Sequence, residues 1–223
     1  MAVALIVAAG RGERLGSGRP KALVPLCGRP MLEWSVAALR AVAAVTEIVV
    51  ALPADELDAA PEGTMAVSGG LARSHSVRNA LAACAGGDPV IVHDAARPLA
   101  TSRLFEQALD ELQRHPEAAA VIAAAPVADT IKEVSGDGAT VVRTLDRSKL
   151  WAVQTPQVFR RAALEHALVS ASDEELDRAT DDAWLVERAG GAVRILGSDP
   201  GNMKVTTPED PRVAELLLAE LRT

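Results

Sequence analysis

Short apolar runs alternate with helical stretches through the first half of this chain, and that alternation leaves few architectures open. Val3–Val7, Glu47–Leu52, Val90–His93 and Ala118–Ala124 read as strands, with Met65–Val67 as a shorter one. Between them Met31–Ala43, Ser74–Cys84 and Ser102–Arg114 read as helices, the first preceded by Pro30 and the third by Thr101, a residue suited to capping. β-rich runs bounded by turn residues and separated by helices imply parallel strands joined by crossover helices. The expected fold class is therefore α/β, with a mostly parallel sheet and flanking helices.

The middle of the chain breaks this rhythm. Asp129–Val134 and Thr140–Leu145 are rich in β-branched residues and flank Ser135-Gly136-Asp137-Gly138, which is a hairpin signal. A hairpin leaving a compact sheet exposes strand edges, so it either packs on a partner subunit or stands free at the surface. Helices follow near Arg161–Val169 and Thr180–Ala189, then a strand at Ala192–Leu196 and a closing helix at Glu209–Arg222. With no internal repeat and no low-complexity linker, the expectation is one domain over residues 1–223, with 127–150 as an arm.

The first strand runs straight into Ala8-Ala-Gly-Arg-Gly-Glu-Arg-Leu-Gly-Ser-Gly-Arg-Pro-Lys21. Small residues there let backbone N–H groups approach a polyphosphate, and Arg11, Arg14 and Lys21 supply positive charge. Two common phosphate loops are excluded. The dinucleotide pattern needs glycine where Leu15 stands, and the Walker pattern needs Gly-Lys-Ser/Thr, whereas Lys21 lies between Pro20 and Ala22. What remains, Gly-x-Gly-x-Arg followed by Pro-Lys, is a pattern associated with nucleotidyltransferases.

Composition narrows the partners. A net charge of −7 argues against nucleic acid and anionic membranes, and three Trp, two Phe and no Tyr make base stacking an improbable general strategy. Cys27 and Cys84 stand at no metal-ligand spacing. The apolar start lacks a basic leader region and reads as a strand, and no apolar run approaches the ~20 residues of a membrane span. The expected location is the cytoplasm.

Two further segments carry chemistry. Val90-Ile-Val-His-Asp-Ala-Ala-Arg-Pro98 leads a buried strand to His93 and Asp94 at its carboxyl end, where open α/β sheets bind ligands. Asp94 there either holds Mg²⁺ and bridges it to phosphates or caps a turn with Arg97 paired to it. His93 reads as a structural hydrogen-bonder, since His75, His115 and His166 are scattered. In Ser68-Gly-Gly-Leu-Ala-Arg-Ser-His-Ser-Val77 the two glycines would let backbone atoms meet a planar base edge, with Ser76 near a helix start.

The loop Ala8–Lys21, Gly69-Gly70-x-x-Arg73-x-x-Ser76-Val77 and His93-Asp94-Ala95-Ala96-Arg97-Pro98, in this order and spacing, resemble the 2-C-methyl-D-erythritol 4-phosphate cytidylyltransferase family of the non-mevalonate isoprenoid pathway. The likeness continues through Asp129-Thr-Ile-Lys132, Gln154-Thr-Pro-Gln157, Thr180-Asp-Asp182 and Lys204-Val-Thr206, and so covers essentially the whole chain. It implies a Rossmann-like nucleotidyltransferase sheet and CTP plus methylerythritol phosphate as substrates. By resemblance, the backbone of Ala8, Ala9 and Gly10, with Gly70 and Ser76, holds the cytidine. Arg14, Lys21 and Lys204 approach the α-phosphate, and Asp94 ligates Mg²⁺ or another divalent cation. Arg97, Thr155 and Thr180 grip the methylerythritol phosphate, with Thr130 and Arg147 supplied by the partner's arm in a homodimer.

Two positions depart from the family pattern. Gly201 stands where members often carry an acidic residue, which leaves Asp199 and Asn202 as unassigned candidates for a second metal contact. Val7 replaces a proline common before Ala-Ala-Gly. Rival readings are ribitol-5-phosphate cytidylyltransferase, whose members tend to differ within the His-Asp-x-x-Arg-Pro segment, and a non-catalytic nucleotide sensor, disfavoured by Arg14, Lys21, Asp94 and Lys204 together. A glycosyltransferase would be expected to carry an Asp-x-Asp metal motif, which the chain lacks.

Overall fold

The computed structural model describes residues 1–12, 15–16 and 18–220. Eleven strands are described: β1 (Ala2–Val7), β2 (Pro25–Leu26), β3 (Arg29–Pro30), β4 (Val45–Leu52), β5 (Met65–Ser68), β6 (Val90–Asp94), β7 (Ala120–Pro126), β8 (Lys132–Val134), β9 (Val141–Thr144), β10 (Trp151–Phe159) and β11 (Val193–Gly197). The helices are α1 (Met31–Arg40), α2 (Arg73–Ala83), α3 (Ser102–Arg114), α4 (Arg161–Ser170), α5 (Asp173–Arg178), α6 (Asp182–Arg188) and α7 (Asp210–Glu220). Seven strands form one sheet in the order β11-β7-β10-β6-β1-β4-β5.

Alternation along β1 explains the layering. Ala2, Ala4 and Ile6 face one core with Leu32, Val36 and Leu39 of α1 and Phe105, Ala108 and Leu112 of α3. Val3 and Leu5 face the other, with Val77, Ala80 and Leu81 of α2, Leu164 and Leu168 of α4, and Leu185 and Val186 of α6. A strand with helices on both faces is apolar on both faces, which is why Val3–Val7 reads as an unbroken apolar run.

Thr101 caps α3 as expected, its side chain accepting from the Leu104 N–H at 3.3 Å. The β1 pairings with β4 and β6 are parallel, whereas β10 runs antiparallel to both β6 and β7. The parallel alternation therefore has an exception in the middle of the sheet. That strand is not visible in the sequence because Gln154-Thr-Pro-Gln157 interrupts it. Pro156 is tolerated at an irregularity, where pairing with β7 shifts register between Val153 and Gln157. Phe159 ends β10 fully buried, and Phe159→Ala is expected to cost about 3–5 kcal/mol. Denaturant unfolding measures this, and a loss below about 1 kcal/mol would mean the site collapses around the smaller residue.

The hairpin of β8 and β9 forms a separate two-stranded sheet, shorter than its β-branched runs, with every residue of both strands exposed. Glu133 and Arg143 pair across it at 2.6 Å, and Asp137 ties the turn by accepting from Ser135 Oγ at 2.6 Å and the Ala139 N–H at 2.9 Å. Several other ends shift by a few residues. The helix expected from Thr180 starts at Asp182 because Asp181 is its cap, accepting from the Trp184 N–H at 2.9 Å.

The carboxyl ends of four strands align. Val7 is opposite Asp94 and Ala51, and Leu52 is opposite Ser68. From β1 the chain passes to β4 and β5 on one side, then returns to β6 on the other. That reversal beside β1 is a topological switch point, where open α/β sheets bind their ligands.

Candidate active site

At this edge the loops after β1, β4, β5 and β6 enclose a cleft of about 860 Å³. Its lining includes Ala8, Ala9, Gly10, Lys21, Gly70, Ser76, Asp94 and Lys204, eight of the residues singled out in the sequence. Arg14 lies outside the described residues. The glycines are there for close approach. A Cβ on Gly69 would lie 2.2 Å from the Ala9 Cβ, and one on Gly70 would lie 2.3 Å from the His75 Cβ. The Gly70 N–H donates to Ser76 Oγ at 3.1 Å, which fixes the glycine turn on the first turn of α2.

Lys21 is positioned by its backbone. Its N–H donates to the Gly10 carbonyl at 3.2 Å, closing the loop after β1. Gly12 has φ +70, and a Cβ there would lie 2.7 Å from the Lys21 Cβ. Glycine at position 12 thus allows both the left-handed backbone and the packing that aims Lys21 at the cleft.

A second cavity of about 270 Å³ lies beside the first, lined in part by Arg97, Val153, Gln154, Thr155, Gln157 and Thr180. Three residues line both cavities: Arg73, Asp94 and Lys204. Lys204 Nζ donates to Asp94 Oδ2 at 2.6 Å, and Arg73 Nε donates to Asp94 Oδ1 at 3.0 Å. Arg73 Nη1 also donates to Asp182 Oδ2. Burial acts to raise the Asp94 carboxyl, but Arg73 and Lys204 outweigh it and hold the group well below the usual carboxylate range. Burial likewise works against the Arg73 charge, and Asp182 and Asp94 more than offset it.

The other predicted residues have mixed surroundings. Thr155 Oγ1 accepts from the Asp94 N–H at 3.0 Å and lies 2.9 Å from His93 Nδ1, so its hydroxyl locks the end of β6. Burial pushes the His93 imidazole down to about 4, so the ring is uncharged at neutral pH and shares a hydrogen bond with the Thr155 hydroxyl. His93 is fully buried and edge-on to Phe105, the structural role expected of it. Arg97 donates from Nη1 to the Asn202 carbonyl at 2.7 Å and from Nη2 to the Val153 carbonyl at 3.2 Å. Thr130 and Arg147 are exposed on the arm and line neither cavity of their own chain.

Neither Asp199 nor Asn202 lines either cavity. Asn202 is buried, donating to Gln154 Oε1 at 2.9 Å and the Thr155 carbonyl at 3.0 Å, while Asp199 accepts from the Gly201 N–H at 2.6 Å. Among the described residues no group of three or more His, Cys, Asp or Glu forms a metal cage. The ionised Asp94 carboxylate on the cleft nevertheless fits a Mg²⁺-type cation, which takes one or two protein oxygens and fills its shell from phosphates and water. No described helix is long and apolar enough to cross a membrane.

Two residues central to this geometry had no role assigned from sequence, Arg73 and Asp182. Both sit inside motifs that were visible, Gly-Gly-x-x-Arg and Thr-Asp-Asp. Their pairing across 109 positions is a tertiary event that no local signal announces.

Residues 2–220 match the family model described as IspD, 2-C-methyl-D-erythritol 4-phosphate cytidylyltransferase. The enzyme of that name from Symbiobacterium thermophilum is 46% identical over 222 residues, covering 97% of this chain and 92% of that protein. The one from Frankia casuarinae is 47% identical over 222 residues, covering 97% of this chain and 80% of that protein. The crystal structure of 2-C-methyl-D-erythritol 4-phosphate cytidylyltransferase from Thermus thermophilus superposes with a TM-score of 0.81 at 34% identity, covering 98% of this chain and 100% of that one. The 4-diphosphocytidyl-2C-methyl-D-erythritol synthase from Anaerococcus prevotii superposes at 0.83 with 27% identity, covering 98% of each chain.

A strand-end glycine loop, a nucleotide-sized cleft and an adjoining cavity behind a shared charged wall define a nucleotidyltransferase. Within that class, the chain belongs to the 2-C-methyl-D-erythritol 4-phosphate cytidylyltransferase family.

Proposed function

We propose that this chain transfers the cytidylyl group of CTP to 2-C-methyl-D-erythritol 4-phosphate, giving 4-diphosphocytidyl-2-C-methyl-D-erythritol and pyrophosphate, as a cytoplasmic step of isoprenoid precursor biosynthesis. The observation that carries the reading is the wall of Arg73, Asp94 and Lys204 shared by two cavities of about 860 and 270 Å³. The larger takes CTP and the smaller the polyol phosphate, so the two reacting phosphates meet at that wall.

A phosphate oxygen of the acceptor attacks the α-phosphorus, the bond to the bridging oxygen of the β-phosphate breaks, and pyrophosphate leaves with the electron pair. The nucleophile is already ionised near neutral pH, so no general base is required. Catalysis is then alignment of two polyanions and neutralisation of charge at the α-phosphate. Backbone groups of Ala8, Ala9 and Gly10, with Gly70 and Ser76, hold the cytidine. Arg14, Lys21 and Lys204 stabilise the phosphate charge. Asp94 anchors Mg²⁺ or a similar cation, which supplies charge neutralisation on the triphosphate when bound. Arg97, Thr155 and Thr180 meet the acceptor, and Thr155 also accepts from the Asp94 N–H.

The remaining acceptor contacts, Thr130 and Arg147, come from the arm of a second copy in a homodimer. The exposed apolar side chains of Val134, Val141 and Val142 support that placement, since an arm standing alone leaves them in water. Lys21→Ala and Arg147→Ala subunits mixed and allowed to exchange should recover activity. Random pairing makes half the dimers mixed, each with one intact site, so about a quarter of wild-type turnover is expected. No recovery despite confirmed exchange would mean that Arg147 serves its own chain.

A further inference from the structure

The charge chain from Asp182 through Arg73 and Asp94 to Lys204 has an inner half that no step above uses. Asp94 ends β6, Arg73 opens α2 and Asp182 opens α6, so one guanidinium joins three elements distant in sequence. Asp182 is fully buried and lines neither cavity, so it reaches a ligand only through Arg73. We infer that Arg73 and Asp182 form one positioning unit for the transfer, fixing the Asp94 carboxylate, and with it Lys204, at the junction of the two cavities.

The geometry supports this in two ways. A carboxylate whose Oδ1 is held by a fixed guanidinium cannot turn about its own axis, so Oδ2 stays directed at Lys204 Nζ, 2.6 Å away. Arginine suits the task because its rigid planar fork presents separate N–H donors to the two carboxylates in fixed directions, which the freely rotating ammonium of a lysine does not. The cluster is also a poor device for stability alone. Arg73 Nη2 and Asp182 Oδ1 are buried without a hydrogen-bond partner in the described structure, an arrangement that costs free energy.

The inference rests on the placement of Asp94 and Lys204 at the reaction centre, and the test separates the two. Arg73→Lys and Asp182→Asn are made singly and together, with Asp94→Asn as a reference. Steady-state kinetics in both substrates, calorimetric CTP binding and thermal unfolding are measured on each. Each single variant should lower kcat about 10- to 100-fold, the scale for residues that orient a ligating group. KM for both substrates and the CTP Kd should stay within about threefold, and the double variant should be no slower than the slower single one.

Folded single variants with a lowered melting temperature but wild-type kcat would reduce the pair to a structural clip and overturn the proposal. Multiplying losses in the double variant would overturn the claim of one unit. Should Asp182→Asn fail to fold, Asp182→Glu keeps the charge but displaces the guanidinium. It must then lower kcat at constant KM, and wild-type kcat there overturns the proposal equally. If Asp94→Asn itself retains full turnover, the reaction centre is misplaced and the positioning claim falls with it. If only Asp94→Asn is impaired, the positioning unit alone is refuted.

Discussion

Lys21→Ala is expected to lower kcat by about 10²–10³, the scale seen when one preorganised charge-stabilising group is removed. Little of this loss should come from disturbed folding. The Lys21 backbone N–H that closes the loop on the Gly10 carbonyl survives the substitution, and so does the Cβ that packs against Gly12. What is removed is the ammonium proposed above to stabilise the triphosphate charge, so KM for CTP should change far less than kcat. Initial-rate kinetics on the folded variant measure both. Turnover within about threefold of wild type would remove Lys21 from the charge-stabilising set.

Asp94→Asn is expected to have a similar effect for a different reason. The substitution keeps the shape but takes away the anionic partner of both Lys204 and Arg73. It should lower kcat by about 10²–10³ and raise the Mg²⁺ concentration needed for half-maximal rate. Stability should fall as well, by about 1–3 kcal/mol, because the largely buried Arg73 guanidinium loses one of its two carboxylate partners, while the exposed Lys204 adds little. A divalent-ion titration of rate in the variant and wild type checks the first part, and denaturant unfolding the second. An unchanged Mg²⁺ requirement would move the cation's anchor away from Asp94.

The fold was legible where a strand is apolar on both faces or a helix carries its own cap. The β1 run and the Thr101-capped helix α3 were visible for those reasons, and the hairpin turn was set by Gly136, Asp137 and Gly138. Strand β10 was not visible. Its polar centre is satisfied from far away, Gln154 by Asn202, Gln157 by Asp181 and Thr155 by the end of β6. Such side chains look like loop chemistry until their partners are known. Helix α5 did carry a local signal, the capping box between Ser172 and Glu175, which lies in a polar stretch without apolar periodicity.

The candidate site divides in the same way. The nucleotide half follows from contiguous segments, because strand ends at a switch point bring Gly10, Gly70 and Asp94 together. Thr155, Thr180 and Lys204 come in through family likeness and Arg97 through its place three residues after Asp94, and all four line the smaller cavity. Arg73 and Asp182 were unassigned because long-range charge pairing has no periodicity to read. Arg147 and Thr130 sit on an exposed arm and line neither cavity of their own chain, so nothing local ties them to a site.

In the proposed reaction two phosphates meet across the wall formed by Arg73, Asp94 and Lys204. Pyrophosphate release from CTP, followed with and without 2-C-methyl-D-erythritol 4-phosphate, tests it most directly. Stoichiometric pyrophosphate is expected only when both substrates and a divalent cation are present, with ribitol 5-phosphate a poor acceptor. CTP binding without pyrophosphate release in the presence of methylerythritol phosphate would contradict it.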